Sequence, residues 1–310
     1  MKFIKRSFLL LLSLLGLLYL VLLTQCHSDI PLEEMKARYA PEPSQFMTIE
    51  GQRVHFRDQG QGAPVLLLHG MGASLHTWEP WVAALQDSFR LLSVDLPAFG
   101  LTGSHPEHDY SLQAYLDFVR RFAERLSLDT FAIVGNSLGG AIAWNYAATH
   151  PEQVHKLILI DAAGFPQPNR KPTLGVRLAS TPGLKQIVRY VTPRALIAKS
   201  MYEVYGDTSR LREEVIDRYY EMMLAEGNRE AFIARQGSHF PFYRDKLKDV
   251  HQATLIQWGA KDHWIPVALG DSFAQALPNA RLVVYPDAGH LPMEEIPERS
   301  VADARAFLLE

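Results

Sequence analysis

The sequence predicts an α/β fold: a mainly parallel sheet flanked by helices, with a helical cap inserted between two strands. Three observations carry this. Short β-type runs alternate with helical segments from about residue 47 onward. That rhythm stops between residues 163 and 250 and then resumes. Around Ser137, a strand, a turn built on closely spaced glycines and a helix follow one another without a gap.

Taken in order, residues 53–58 read as an early strand, and residues 65–69 and 90–95 as strands of the kind buried on both faces. A helix near residues 78–85 separates the last two. Residues 111–126 then form an amphipathic helix with Leu112, Tyr115, Phe118, Val119 and Phe122 on one face. Strand 131–134, helix 139–149 and strand 156–160 follow. The inserted region has a Pro-rich stretch and helical segments at 209–225 and 228–236. Strands return at 254–258 and 281–285, each followed by a loop and a helix, the last at 297–309. The expected organisation is therefore a signal or membrane anchor at 1–25, a polar Pro-containing linker at 26–46, a core made of 47–162 and 251–310, and a cap at 163–250.

Composition narrows the function classes. The formal net charge is −3 with acidic and basic residues interspersed, so no nucleic-acid-binding surface is expected. Small neutral substrates fit better. At the N-terminus, Lys2, Lys5 and Arg6 precede an almost unbroken apolar run at 8–23, and Asp29, Glu33 and Glu34 follow it. A core helix would carry an amphipathic stripe, whereas this run is apolar on every face. The charge order places the N-terminus in the cytoplasm and the rest of the chain across the membrane, on the periplasmic side in a bacterium.

The sole cysteine, Cys26, follows directly in Leu23-Thr24-Gln25-Cys26 and excludes an internal disulfide framework. This segment resembles the site at which bacterial lipoproteins are cleaved and acylated. Gln25 departs from the small residue usual before the modified cysteine, which favours an uncleaved anchor over a lipidated Cys26.

Chemistry concentrates in three loops. Phe131-Ala-Ile-Val-Gly-Asn-Ser-Leu-Gly-Gly140 has the strand, G-x-S-x-G turn and helix of a nucleophile elbow. Gly135, Gly139 and Gly140 leave room for the turn, which lifts Ser137 to the carboxyl edge of the sheet. The Leu138 amide, at a helix N-terminus, is then one oxyanion donor. Upstream, Leu68-His69-Gly70-Met71-Gly72 follows a buried strand, and the Met71 amide is assigned as the second donor, with His69 bracing the loop. A serine hydroxyl needs a base to take its proton and a carboxylate to hold that base in the right tautomer. Strand 254–258 ends in Gly259-Ala-Lys-Asp262, and strand 281–285 in Pro286-Asp-Ala-Gly-His290. The chain order Ser137, Asp262, His290 suits this chemistry.

Other carboxyl and imidazole groups compete for these roles. Asp161 follows the strand after the elbow helix and is an alternative position for the acid. Asp95, in Asp95-Leu-Pro-Ala-Phe-Gly100, reads as a brace for its own loop. His263 either lines the pocket or is a solvated loop residue, with the second reading preferred. The remaining histidines show no ligand spacing, so no metal site is expected.

Together, His69-Gly70, Asp95-Leu-Pro-Ala-Phe-Gly, Gly135-Asn-Ser-Leu-Gly-Gly, Trp258-Gly-Ala-Lys-Asp and Gly289-His-Leu-Pro-Met-Glu make the chain resemble α/β-hydrolase-fold serine esterases and lipases from about residue 47 to 309. It is most similar to bacterial family V lipases and esterases, and more distantly to membrane-anchored monoacylglycerol lipases. Ala98 stands where many relatives have glycine, which touches only that loop's conformation. The resemblance implies hydrolysis of small-molecule carboxylic esters, lipid-derived ones included, through an acyl-enzyme and without a cofactor. A carbon–carbon bond hydrolase of the meta-cleavage type shares the Gly-Asn-Ser elbow, but such relatives usually carry an aromatic residue after the histidine, where this chain has Leu291-Pro292. A non-catalytic ligand-binding relative usually lacks part of the triad, and here every member is present. Leu211, Val215, Tyr219 and Met222, at helical spacing in the cap, fit core packing as well as acyl-chain binding.

Overall fold

The computed structural model describes residues 26–167, 172–241 and 243–310, together with Ser7, Ser13, Gly16 and Thr24. The apolar run behind the anchor expectation, at 8–23, lies outside the described residues apart from Ser13 and Gly16. Among the described residues no helix is long and apolar enough to cross a membrane.

The segment expected to be a linker is ordered into α1 (Leu32–Tyr39) and the start of β1 (Ser44–Ile49). Met35 is the buried residue that seats α1 against Leu101, Met222 and Ala225, with Leu32 and Tyr39 half-buried beside it, and an apolar stripe only two turns long is too short to stand out as a helix in the sequence. β1 pairs antiparallel with β2 (Gln52–Gln59). Glu50 and Gly51 turn between them at φ 48° and 80°, the doubly left-handed turn whose twist matches a hairpin.

The chain continues through β3 (Ala63–Leu68), α2 (Glu79–Leu85), β4 (Phe89–Val94), α3 (Leu112–Arg125), β5 (Phe131–Asn136), α4 (Leu138–Thr149) and β6 (Val154–Ile160). After the insertion come β7 (Ala253–Gly259) and β8 (Ala280–Tyr285). The eight strands are ordered β1-β2-β4-β3-β5-β6-β7-β8. Those from β4 to β8 in this order are mutually parallel, and their interior positions are apolar because helices cover both faces. Ser111 caps α3 by accepting the Ala114 amide, and Tyr115, Phe118, Val119 and Phe122 form its buried face.

The insertion holds α5 (Leu174–Ser180), α6 (Leu184–Tyr190), α7 (Arg194–Val204), α8 (Glu213–Leu224) and α9 (Asn228–Arg235). The last two match the helical periodicity of the sequence. The first three do not announce themselves, since α5 buries only Ala179 and α6 buries none of its residues. On α8 the apolar stripe divides its labour: Val215 and Met222 pack into core clusters, while Tyr219 and Met223 face a cavity above the sheet. Two short helices, α10 (Ala268–Ala276) and α11 (Pro292–Glu295), and the terminal α12 (Pro297–Leu309) complete the chain.

Parallel pairing is what positions the chemistry. Leu68 lies opposite Gly135, Asn136 opposite Ile160, Ile160 opposite Gln257, and Gly259 opposite Tyr285. The carboxyl ends of β3, β5, β6, β7 and β8 therefore share one rim, and the loops carrying Met71, Ser137, Asp161, Asp262 and His290 leave from it.

Candidate active site

Ser137 sits at φ 53° and ψ −112°, between β5 and α4. A non-glycine residue held there costs on the order of 1–3 kcal/mol, so its surroundings must over-determine it. They do so through backbone bonds. The Ser137 amide donates to the Ile160 carbonyl at 3.0 Å, and its own carbonyl accepts from Ala141 and Ala163. The neighbouring glycines are needed for space: a Cβ on Gly135 would lie 2.2 Å from the Gly139 carbonyl oxygen, and one on Gly139 would lie 2.2 Å from that of Leu68. Any side chain at either position would push the elbow off the sheet.

Asp262 and His290 meet from adjacent loops. Asp262 Oδ1 accepts from the Trp264 and Ile265 amides at 2.6 and 2.9 Å, which leaves Oδ2 to face His290 Nδ1 at 2.6 Å. Against a carboxylate, Nδ1 carries the proton, and Nε2 is left with its lone pair. His290 is fixed from its backbone as well: its amide donates to the Val204 carbonyl at 2.7 Å, and its carbonyl accepts from Asn136 Nδ2 at 3.0 Å. Its ring centroid lies 5.6 Å from that of Trp264. Ser137 and His290 line the same cavity.

The Met71 and Leu138 amides, assigned as oxyanion donors, give no hydrogen bond to any described group. The Gly70 backbone touches the elbow, since a Cβ there would lie 2.7 Å from Asn136 Oδ1 and 3.2 Å from Ser137 Cβ. His69 sets the direction of the Met71 amide. Its Nε2 accepts from the Leu96 amide at 2.9 Å, so Nδ1 bears the hydrogen and donates to the Gly70 carbonyl at 2.7 Å. Burial also keeps this imidazole neutral by lowering its pKa. Carbonyl and amide point opposite ways across a trans peptide, so pinning the Gly70 oxygen aims the Met71 N–H away from His69. His69 thus braces the loop.

Asp95 is a brace too. It is fully buried and accepts from the Leu75 and Leu101 amides and from His55 Nδ1, each at 2.7 Å. Burial opposes its charge, while His55 favours it by charge and by its hydrogen bond, and on balance the carboxyl lies below the ordinary range. The adjoining loop takes a left-handed turn at Ala98, φ 81°, a conformation glycine adopts without strain. His263 is exposed and does not line the cavity. Asp161 is fully buried beside Asp262 and makes no hydrogen bond to His290.

Two polar residues that sequence reasoning passed over hold the site together. Asn136 bonds both the Ile160 and His290 carbonyls, tying the elbow to the histidine loop. Glu295, 5% exposed, accepts the Gly206, Asp207 and Gly289 amides and so ties that loop to the insertion. The Gly-Asn-Ser motif is the signal that could have found the first; nothing short of the fold points to the second.

The cavity over Ser137 and His290 has a volume of about 110 Å³. The insertion supplies Val176, Val188, Leu196, Ile197, Met201 and Phe232 to its wall. Arg229 is the charged side chain of the insertion that reaches it, bonded to Asp29 Oδ1 at 2.5 Å and to the His27 carbonyl at 2.7 Å.

Known proteins resemble this chain in sequence and fold. A 2-hydroxymuconate semialdehyde hydrolase from Pseudomonas putida is 27% identical over 281 residues, covering 87% of this chain and 96% of that one. The crystal structure of a membrane phospholipase A, described as a bacterial virulence factor, superposes with a TM-score of 0.73 at 26% identity, covering 99% of this chain and 98% of that one. An esterase from Thermogutta terrifontis gives a TM-score of 0.73 at 27% identity, covering 86% and 97%. The sequence profile of the alpha/beta hydrolase fold matches residues 63–297, from β3 into α12, and the chain belongs to that family.

Proposed function

We propose that this chain hydrolyses carboxylic esters with an apolar acyl chain through an acyl-enzyme intermediate. In this reading Ser137 Oγ attacks the ester carbonyl while His290 Nε2 takes its proton, and the new oxyanion is held by the Met71 and Leu138 amides. His290 then protonates the departing alkoxide oxygen, leaving the acyl group on Ser137. A water activated by the same imidazole releases the acid, and Asp262 stabilises the imidazolium in both halves. The observation that carries the reading is the union of the His290–Asp262 pair with Ser137 at the foot of an apolar cavity.

Acyl-chain length is the test. Each methylene buried in the cavity contributes about 0.8 kcal/mol, so medium-chain p-nitrophenyl esters should exceed the acetate in kcat/KM by about tenfold or more. Acetate turned over equally well or better would remove the acyl-chain assignment. The solved membrane phospholipase A and the thermophilic esterase support ester chemistry by likeness.

A second reading, carbon–carbon bond hydrolysis, is favoured by one observation. Arg229 Nη1 is buried without a partner beside the cavity, and the Pseudomonas putida relative acts on 2-hydroxymuconate semialdehyde, which bears a carboxylate. Against it, Asp29 already neutralises Arg229. Turnover of that semialdehyde with no ester cleaved would reverse the order.

The membrane tether at residues 1–25 belongs to the same proposal, with the catalytic part outside the cytoplasm. Cys26 is exposed and bridges to Val191 of the insertion, so the tether joins beside the cap. Mass spectrometry of the N-terminus should find the uncleaved chain; a diacylglyceryl-modified Cys26 would replace the anchor with a lipid.

A further inference from the structure

Asp161 is a buried carboxyl group for which the catalytic steps have no use. It terminates β6 at φ 43°, a left-handed conformation that an aspartate keeps only under constraint. The constraint comes from both sides: the residue before it receives the Ser137 amide, and its own amide donates to the Gln257 carbonyl of β7. Its side chain is fully buried. Oδ1 accepts the Gly259 amide at 3.0 Å, while Oδ2 has no partner able to donate to it.

One ligand atom each from Asp161, Asp262 and His290 lies within 4.8 Å of the others. Two buried carboxyl groups this close to each other strongly disfavour a negative charge on both beside one imidazole. Donor count decides which stays ionised. Asp262 receives two amides and the His290 ring, whereas Asp161 receives one amide. Burial first, and then the charge of Asp262, push the Asp161 carboxyl well above its ordinary range, and Glu295 adds to this. The Tyr285 hydroxyl, which feels the charge of Asp161 in turn, donates to Asp303 Oδ2 at 2.7 Å.

We propose that Asp161 is a neutral carboxylic acid that donates a hydrogen bond through Oδ2 to Asp262, and that it positions the Asp262–His290 pair from behind. The orphaned oxygen is then a satisfied donor. Asp262 accepts four hydrogen bonds and holds one orientation toward His290. Because part of its charge is drawn toward Asp161, it steadies the imidazolium without taking its proton. Asp161 is a positioning residue here, and its effect on turnover rests on the reading of His290 as the base.

The test compares Asp161→Asn, whose amide remains a neutral donor, with Asp161→Ala, which has none, both in the full chain. The infrared difference spectrum of the parent minus Asp161→Asn at neutral pH should contain a protonated carboxyl C=O band. For p-nitrophenyl ester hydrolysis, Asp161→Ala should lower kcat by about tenfold, as expected when a catalytic group is loosely held. It should also move the acid limb of the kcat/KM profile upward, because Asp262 without its donor binds the imidazolium more tightly. Asp161→Asn should recover most of the rate and leave the acid limb in place. Absence of the carboxyl band overturns the proposal. So does an acid limb that falls by about one pH unit in Asp161→Asn, the signature of a removed negative charge. Should Asp161→Ala fail to fold, the asparagine variant and the infrared band still decide. The band does not depend on turnover, so a failed ester assignment is distinguishable from a failed Asp161 assignment.

Discussion

Ser137→Ala should lower the turnover of a medium-chain p-nitrophenyl ester by about 10⁶-fold, because it removes the only atom that can carry the acyl group between the two half-reactions. What survives is the modest rate enhancement of the oxyanion donors and of binding alone. Stability should scarcely change. The bonds that hold position 137 are made by its amide and carbonyl, to Ile160, Ala141 and Ala163, and alanine keeps all of them. The variant should also lose labelling by a fluorophosphonate probe while retaining the parent melting temperature. Substantial ester turnover by a folded Ser137→Ala protein would end the nucleophile assignment. A folded parent chain that refuses the probe would instead favour a ligand-binding relative of the family.

The parts of this molecule that were legible in its sequence share one property: their signal is local. β3, β5, β6 and β7 are buried on both faces, so each reads as an apolar run. Ser137, Asp262 and His290 each follow a strand end by at most five residues, and so sequence position fixes the rim on which they emerge. What escaped notice depends on neighbours supplied by the fold. α1 is only two turns long, and the partners of its Leu32, Met35 and Tyr39 stripe lie far away in the chain, at Leu101, Met222 and Ala225. α6 has no buried residue, so no burial pattern marks it. Asp161 could be recognised as a rival acid from its place after a strand. Its orphaned oxygen and its closeness to Asp262 come from the adjacency of β6 and β7, a matter of sheet order. Glu295 gathers amides from residues 206, 207 and 289, a convergence no spacing rule contains.

Asp262→Asn should lower kcat by about 10⁴-fold at neutral pH while leaving the fold in place, and the reason lies in which atom faces His290. The Trp264 and Ile265 amides demand an acceptor at the Oδ1 position. The asparagine carbonyl oxygen must therefore stay there, which turns its amide nitrogen toward His290 Nδ1. Two donors cannot face one another. The imidazole then takes the other tautomer, with Nδ1 accepting from the amide and the hydrogen on Nε2, the atom required to receive the Ser137 proton. The nucleophile is left beside a donor in place of a base. Tautomer inversion makes a prediction that loss of charge alone does not. ¹⁵N chemical shifts of His290 should show protonated Nδ1 in the parent and protonated Nε2 in Asp262→Asn, each at a pH where the ring is neutral. If the variant keeps the parent tautomer and the parent rate, Asp262 does not orient the base, and the acid must be sought at Asp161.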